Sequence, residues 1–151
     1  MPNSFNKKKS ASIIKESLAK KKTLADTTHD NFKVSFQYLD TSQKFGSGFK
    51  DWQKIGLLSQ LLDVFQGYCS RPLLSQVDGN KFTIYGGFPP KKQTLFEHPT
   101  FVPEDAEWAR IHITGPAVVV GHIVSDTFYV VFLDKTHKFW LTKKYLANKN
   151  I

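Results

Sequence analysis

An α+β domain is the fold class this 151-residue chain predicts, and three patterns predict it. Residues 32–39 alternate apolar and polar, residues 50–68 carry an apolar stripe at helical spacing, and residues 108–133 hold three strand-like runs parted by two-residue turns. The expected architecture is an antiparallel meander sheet with at least one packed helix and a basic N-terminal arm. The arm covers residues 1–31, and residues 32–151 form a single α+β domain with a basic C-terminal tail.

In the arm, Ser10 or Ser12 is placed to cap a short helix with Ile13, Ile14 and Leu18 along one side. Lys7, Lys8 and Lys9 precede that apolar patch, and Lys20, Lys21 and Lys22 follow it. Such a terminus is either a solvated tail or an arm that orders on contact with nucleic acid or a protein. In Phe32–Leu39, Phe32, Val34, Phe36 and Tyr38 fall on one face of a half-buried strand. After the Gly46-Ser47-Gly48 turn, Ile55, Leu58, Leu61, Leu62 and Phe65 recur at three- and four-residue steps, predicting one helix over residues 50–68. Gly56 weakens it by roughly 1 kcal/mol relative to Ala, and Gly67 and Pro72 bracket its end. Cys69 reads as a small buried side chain, since no thiolate-stabilising pattern surrounds it.

Lys81–Tyr85 predicts a short strand introduced by the Asp78-Gly79-Asn80 turn. The stretch from Gly86 to Lys92 has glycines and lysines but not the strand–GxxxxGK[ST]–helix order of a phosphate loop. Trp108–Thr114, Ala117–Val124 and Thr127–Leu133 then form the meander, turning at Gly115-Pro116 and Ser125-Asp126. A terminal helix is expected over Leu141–Asn148.

Charge is distributed unevenly. The formal +8 divides into +4 for residues 1–31, −1 for residues 32–134 and +5 for residues 135–151, so the excess lies in the two ends. With 40% hydrophobic residues and 13 Phe, the chain is too apolar for a disordered polycation. One cysteine excludes a disulfide framework and a multi-thiolate zinc site, and fits a reducing, cytoplasmic setting. There is no apolar run of the roughly 18 residues a membrane span needs, and no apolar stretch follows the first lysines as in a secretory signal. No cofactor motif is found.

Extending the turns gives a register in which Arg110 faces Gly121, Gly121 faces Val130, and His122 faces Ala109 and Tyr129. One face then carries Ile111, Ile113, Val118, Val120, His122, Tyr129, Val131 and Leu133, and the other Arg110, His112, Val119, Gly121, Ile123, Phe128, Val130 and Phe132. Both faces are apolar enough to need covering. His112 and His122 project to opposite sides, so no metal site is expected from His112, His122 and His137. Arg110, with space left across the ladder by Gly121, suits either a bidentate clamp on phosphate or carboxylate, or an ion pair with Glu104, Asp105 or Glu107. A second cluster begins at Asp134 and joins Lys135, His137, Lys138 and Trp140 to Lys143, Lys144 and Tyr145. Lysines there would neutralise phosphate, Trp140 would stack on a base, and His137 has the residue type suited to proton transfer near neutral pH.

Arg110 entering the meander, the Gly121–Phe132 hairpin and the ending His137-Lys138-Phe139-Trp140 together resemble the RelE/ParE-like toxins of bacterial toxin–antitoxin systems. The resemblance covers mainly residues 108–140. It implies a strand, helices, an antiparallel meander and a basic end, with RNA as substrate and an acidic antitoxin as partner. In the ribonuclease members, basic residues and a terminal Tyr or His cleave ribosome-bound mRNA without metal, and the resemblance carries that role to Arg110, His137, Lys138 and Tyr145. Two functions are therefore expected: a metal-independent endoribonuclease, or a non-catalytic protein that binds nucleic acid or an acidic protein surface through its lysine-rich ends. A mobile-element regulator or a nuclease inhibitor would fit the second.

Overall fold

The computed structural model describes residues 30–149, with side chains to residue 148. The expected helix at residues 10–18 and the lysine triplets lie outside that range.

A five-stranded mixed sheet organises the domain: β1 (Lys33–Ser35), β2 (Phe82–Gly86), β3 (Glu107–Thr114), β4 (Ala117–Val124) and β5 (Thr127–Asp134), in the spatial order β1-β5-β4-β3-β2. The meander pairs antiparallel, β2 adds to its free edge antiparallel, and β1 lies parallel to β5. Three α-helices among the described residues complete the fold: α1 (Phe49–Lys54), α2 (Leu58–Tyr68) and α3 (Lys143–Lys149). None of the described helices is long and apolar enough to cross a membrane.

The helix expected over residues 50–68 is two helices. Gly56 has φ 76°, a left-handed conformation that an L side chain disfavours, and the chain turns there. The break re-aims the apolar stripe. Trp52, Leu61 and Phe65 are buried, whereas Ile55 and Leu62 are more than half exposed. Trp52 donates from Nε1 to Ser47 Oγ at 3.0 Å, and Ser47 Oγ donates to the Leu133 carbonyl at 2.8 Å, so a satisfied polar chain ties α1 to β5. Cys69, expected inside, is exposed just past α2. The first strand is also shorter than expected, and Tyr38 leaves the company of Phe32, Val34 and Phe36 to pack on the opposite side of the sheet.

Both sheet faces are covered. On one, Trp52, Leu61 and Phe65 meet Phe32, Phe82, Ala109, Ile111, Val119, Phe128 and Val130. On the other, the segment after β2 and the segment after β5 bring Phe96, Val102 and Phe139 onto Trp108, Val118, Val120, Val131 and Phe132. Those two segments hold each other: Leu95 N–H donates to the Lys138 carbonyl at 3.0 Å, and Leu141 N–H to the Gln93 carbonyl at 2.7 Å.

The expected register holds between β4 and β5 at His122↔Tyr129 and Gly121↔Val130. It fails between β3 and β4, where Arg110 faces Val120 and His122 faces Trp108. The ladder slips at Ile113, between the pairs His112↔Val118 and Thr114↔Ala117, so the tight turn is kept and every rung beyond it moves by one. A second irregularity lies beside Gly121 on β5, and Val131 and Phe132 both end in the same core cluster. Gly121 gives no space to Arg110. A Cβ there would strike the Tyr129 carbonyl, so the glycine is required by close backbone approach.

Candidate active site

Arg110 sits mid-strand on β3 and is half-buried. Its Nε donates to the Tyr85 hydroxyl at 3.0 Å, across the β2–β3 ladder. Neither Glu104, Asp105 nor Glu107 pairs with it; Glu104 lies instead 3.9 Å from His98 Nδ1, and the ion pair Lys33–Asp126 is elsewhere. The Tyr85 ring stacks on Trp140 at 4.7 Å and 18°, so the tail after β5 is laid against the arginine's partner. Burial raises the Tyr85 pKa and outweighs the opposing pull of the Arg110 charge, which keeps the phenol neutral. The guanidinium is therefore held by a neutral hydroxyl and by no anion among the described residues.

Asp134 places the second cluster. It is fully buried at the end of β5, and its carboxylate accepts the Lys138 N–H at 3.0 and 2.9 Å and the Phe139 N–H at 2.8 Å. Burial raises its pKa, opposed by those backbone N–H groups and by His137. The turn so formed puts His137 at φ 61°, a conformation that is costly for a residue with a Cβ. Its Nδ1 is buried without a hydrogen-bond partner among the described residues. Lys138 reaches over the Tyr145 ring at 4.8 Å and donates from Nζ to the Thr136 carbonyl at 3.1 Å. Tyr145 begins in the first turn of α3, where its N–H donates to Thr142 Oγ1. Lys135, Lys143 and Lys144 are exposed.

The structure thus brings Arg110 together with Trp140 through Tyr85, and Lys138 together with Tyr145. Arg110 and His137 are not in contact with each other, and Lys7, Lys8, Lys9, Lys20, Lys21 and Lys22 lie outside the described residues. Tyr85 was missed by sequence reasoning, and Asp134 was placed in the second cluster but given no role. An aspartate closing the apolar run Val130–Leu133 was the available signal for that role; nothing in the sequence marked Tyr85.

The slip puts His112 and His122, expected on opposite sides of the sheet, on the same side, but their rungs with Val118 and Trp108 lie well apart along the ladder. No group of three or more His, Cys, Asp or Glu able to hold a metal occurs among the described residues. His122 instead belongs to a buried aromatic nest, stacked on Tyr129 at 5.3 Å and 5.5 Å from Tyr38. Trp108 lies 6.2 Å from it and 5.6 Å from His98. Burial, and then the nearby His98, lowers the His122 pKa.

Two clefts flank this region. One of about 510 Å³ lies by α2 and the end of β3, with Arg71 and Lys81 balanced by Asp63 and Asp78. Another of about 370 Å³ is walled by Phe88, Pro89, Phe96 and His98. The first is larger, but its paired charges give no preference for an anion, and Arg110 is outside it.

Comparison of the chain with family models, curated proteins and solved structures gives no match. The site's chemistry is therefore the basis for function.

Proposed function

We propose that the chain is a metal-independent endoribonuclease of toxin type, acting on RNA in the cytoplasm with Arg110 as its phosphate-binding group. The observation that carries this reading is the half-buried Arg110 guanidinium, fixed through Nε on a neutral tyrosine and unpaired with any carboxylate among the described residues. Fixing Nε leaves the two terminal nitrogens as a fork, the geometry that takes two phosphate oxygens. Trp140 adds a half-exposed indole on which a base can stack. The order of strand, helix pair, antiparallel strands and basic terminal helix agrees with the toxin resemblance; fold analogy adds only prior weight.

RNA carries its own nucleophile. A base, His137 or Tyr145, takes the proton of a 2′-hydroxyl, whose oxygen attacks the adjacent phosphorus. The bond from phosphorus to the 5′-oxygen breaks, and that oxygen takes a proton as it leaves. A 2′,3′-cyclic phosphate and a 5′-hydroxyl result. Arg110 and Lys138 stabilise the charge gathering on the phosphoryl oxygens.

The test is incubation of end-labelled RNA with the full chain in chelator, followed by analysis of the new ends. Cyclic phosphate ends are expected. Arg110→Ala should lower the turnover by roughly 100- to 1000-fold, the range for loss of one such donor, with Arg110→Lys between it and wild type. RNA left intact by the wild-type chain overturns the reading. RNA that is bound but uncut favours instead a non-catalytic binder using the exposed lysines Lys135, Lys143 and Lys144 and the arm. Removing residues 1–31 would then weaken binding and flatten its salt dependence.

A further inference from the structure

We infer that the cleft between Phe88, Phe96 and His98 is a guanine-binding pocket for the RNA substrate; the inference rests on the ribonuclease reading and names its base specificity. At about 370 Å³ the cleft falls within the roughly 300–1,000 Å³ range of small-molecule sites. Its walls are flat. Phe96 and Pro89 are buried, Phe88 is half-buried, and the His98 ring is fixed by the Pro99 carbonyl 2.9 Å from Nδ1. His98 also meets Phe88 edge-on at 5.2 Å. Its Nε2 is buried away from solvent, so His98 offers the cleft a ring face rather than a hydrogen bond.

The rim supplies the polar groups. Lys91 and Glu97 line the cleft and are exposed, and neither side chain has a hydrogen-bond or ion-pair partner among the described residues. One cationic and one anionic side chain on the rim, above aromatic walls, match one base. Guanine presents the O6 and N7 acceptors to a cation and, on its pairing edge, the N1–H and N2–H donors to a carboxylate. Adenine lacks the N1–H, and its N6 amino group would face Lys91. Cytosine and uracil are smaller and present neither set complete. Thr94, buried behind the rim, spends its hydroxyl oxygen on the Phe96 N–H at 3.0 Å and so shapes the floor rather than reading the base.

The cleft and the arginine site are built on one aromatic cluster. Phe88 packs on Phe139 at 5.2 Å, Phe139 on Tyr85 at 5.8 Å, and Tyr85 holds Arg110. We place a base in the cleft, against the outer surface of this cluster, and a phosphate of the same strand on Arg110.

Guanosine, adenosine, cytidine and uridine should be titrated separately into the full chain, following the ring resonances of His98 and Phe96, and cleavage sites in a mixed-sequence RNA should be mapped. Guanosine is expected to shift both rings and to bind roughly ten-fold or more tightly than the other three, the scale of one two-bond base contact. Glu97→Gln, an exposed change that leaves the walls intact, should erase that preference, while RNA binding through Arg110 persists. Equal binding of the four nucleosides, or an unchanged preference in Glu97→Gln, overturns the pocket and leaves the ribonuclease reading standing. Guanosine binding with the stated preference but no RNA cleavage upholds the pocket and overturns the ribonuclease reading. If neither nucleoside nor RNA binds, both fall.

Discussion

Asp134 carries more of the site than any residue assigned a chemical role. Its buried carboxylate receives two backbone N–H groups and so sets the path of His137, Lys138, Phe139 and, beyond them, Trp140. Asp134→Ala leaves those N–H groups unmet in a water-poor turn, at about 1–3 kcal/mol each, partly offset because a costly buried charge is also removed. A net loss of roughly 2 kcal/mol is expected from urea unfolding, and the proposed RNA cleavage should fall further because the tail no longer presents Trp140 to Tyr85. An unchanged midpoint would deny Asp134 this role. Gly121 is the complementary case. The sequence reading gave it the task of making space for Arg110, whereas the structure uses its lack of Cβ against the Tyr129 carbonyl.

At the scale of elements, tight turns decide geometry. Gly115 and Ser125 both have positive φ, 55° and 58°, at the first turn residue of their hairpins. Glycine accepts this freely, while a serine there is held in a conformation disfavoured by about 1 kcal/mol. Ser125→Gly should therefore raise stability by roughly 0.5–1 kcal/mol, less the extra entropy glycine brings to the unfolded chain. A lower melting temperature in that variant would mean that the Ser125 side chain has a stabilising role of its own. The helix pair teaches the same lesson. A continuous helical stripe was legible over residues 50–68, but Gly56 at φ 76° turns the chain so that Leu61 and Phe65 face the sheet and Leu62 does not.

For the molecule as a whole, acid should act in two windows. His122 is held neutral by burial and by His98, so the stability it contributes is present above the ordinary imidazole value of about 6.5 and lost as pH falls below it. In Asp40, hydrogen bonds from Ser42 and Gln43 outweigh burial, and in Asp126 the hydrogen bond from Lys33 leads; both carboxyls are lowered. Their contribution is present above about 3.8 and lost as pH falls further. Asp134 runs the other way: its raised pKa gives stability at low pH that is lost as pH rises through the folded value. Unfolding free energy measured against pH should be level from 8 to 7 and fall below about 6.5, and His122→Gln should remove that first limb. A level curve between pH 6.5 and 5 would reject the assignment.

The fold class, the meander, both of its turns and the β4–β5 register from its turn as far as Gly121↔Val130 were readable because alternation and turn residues are local signals. So was the concentration of charge in the ends. The β3–β4 register was not. It turns on one extra residue at Ile113, which no residue type announces. That single slip puts His122 beside Trp108 and Arg110 opposite Val120. Arg110 itself was legible as an arginine out of place. Its partner Tyr85 was not, because the two are distant in sequence and meet only across the β2–β3 ladder. Sequence alone determined which segments are strands and helices and where the charges concentrate, since both follow from composition and short-range periodicity. Tertiary structure decided which side chains share a site, because bulges and the packing of two covering segments are settled by the volume and hydrogen bonds of residues far apart in the chain.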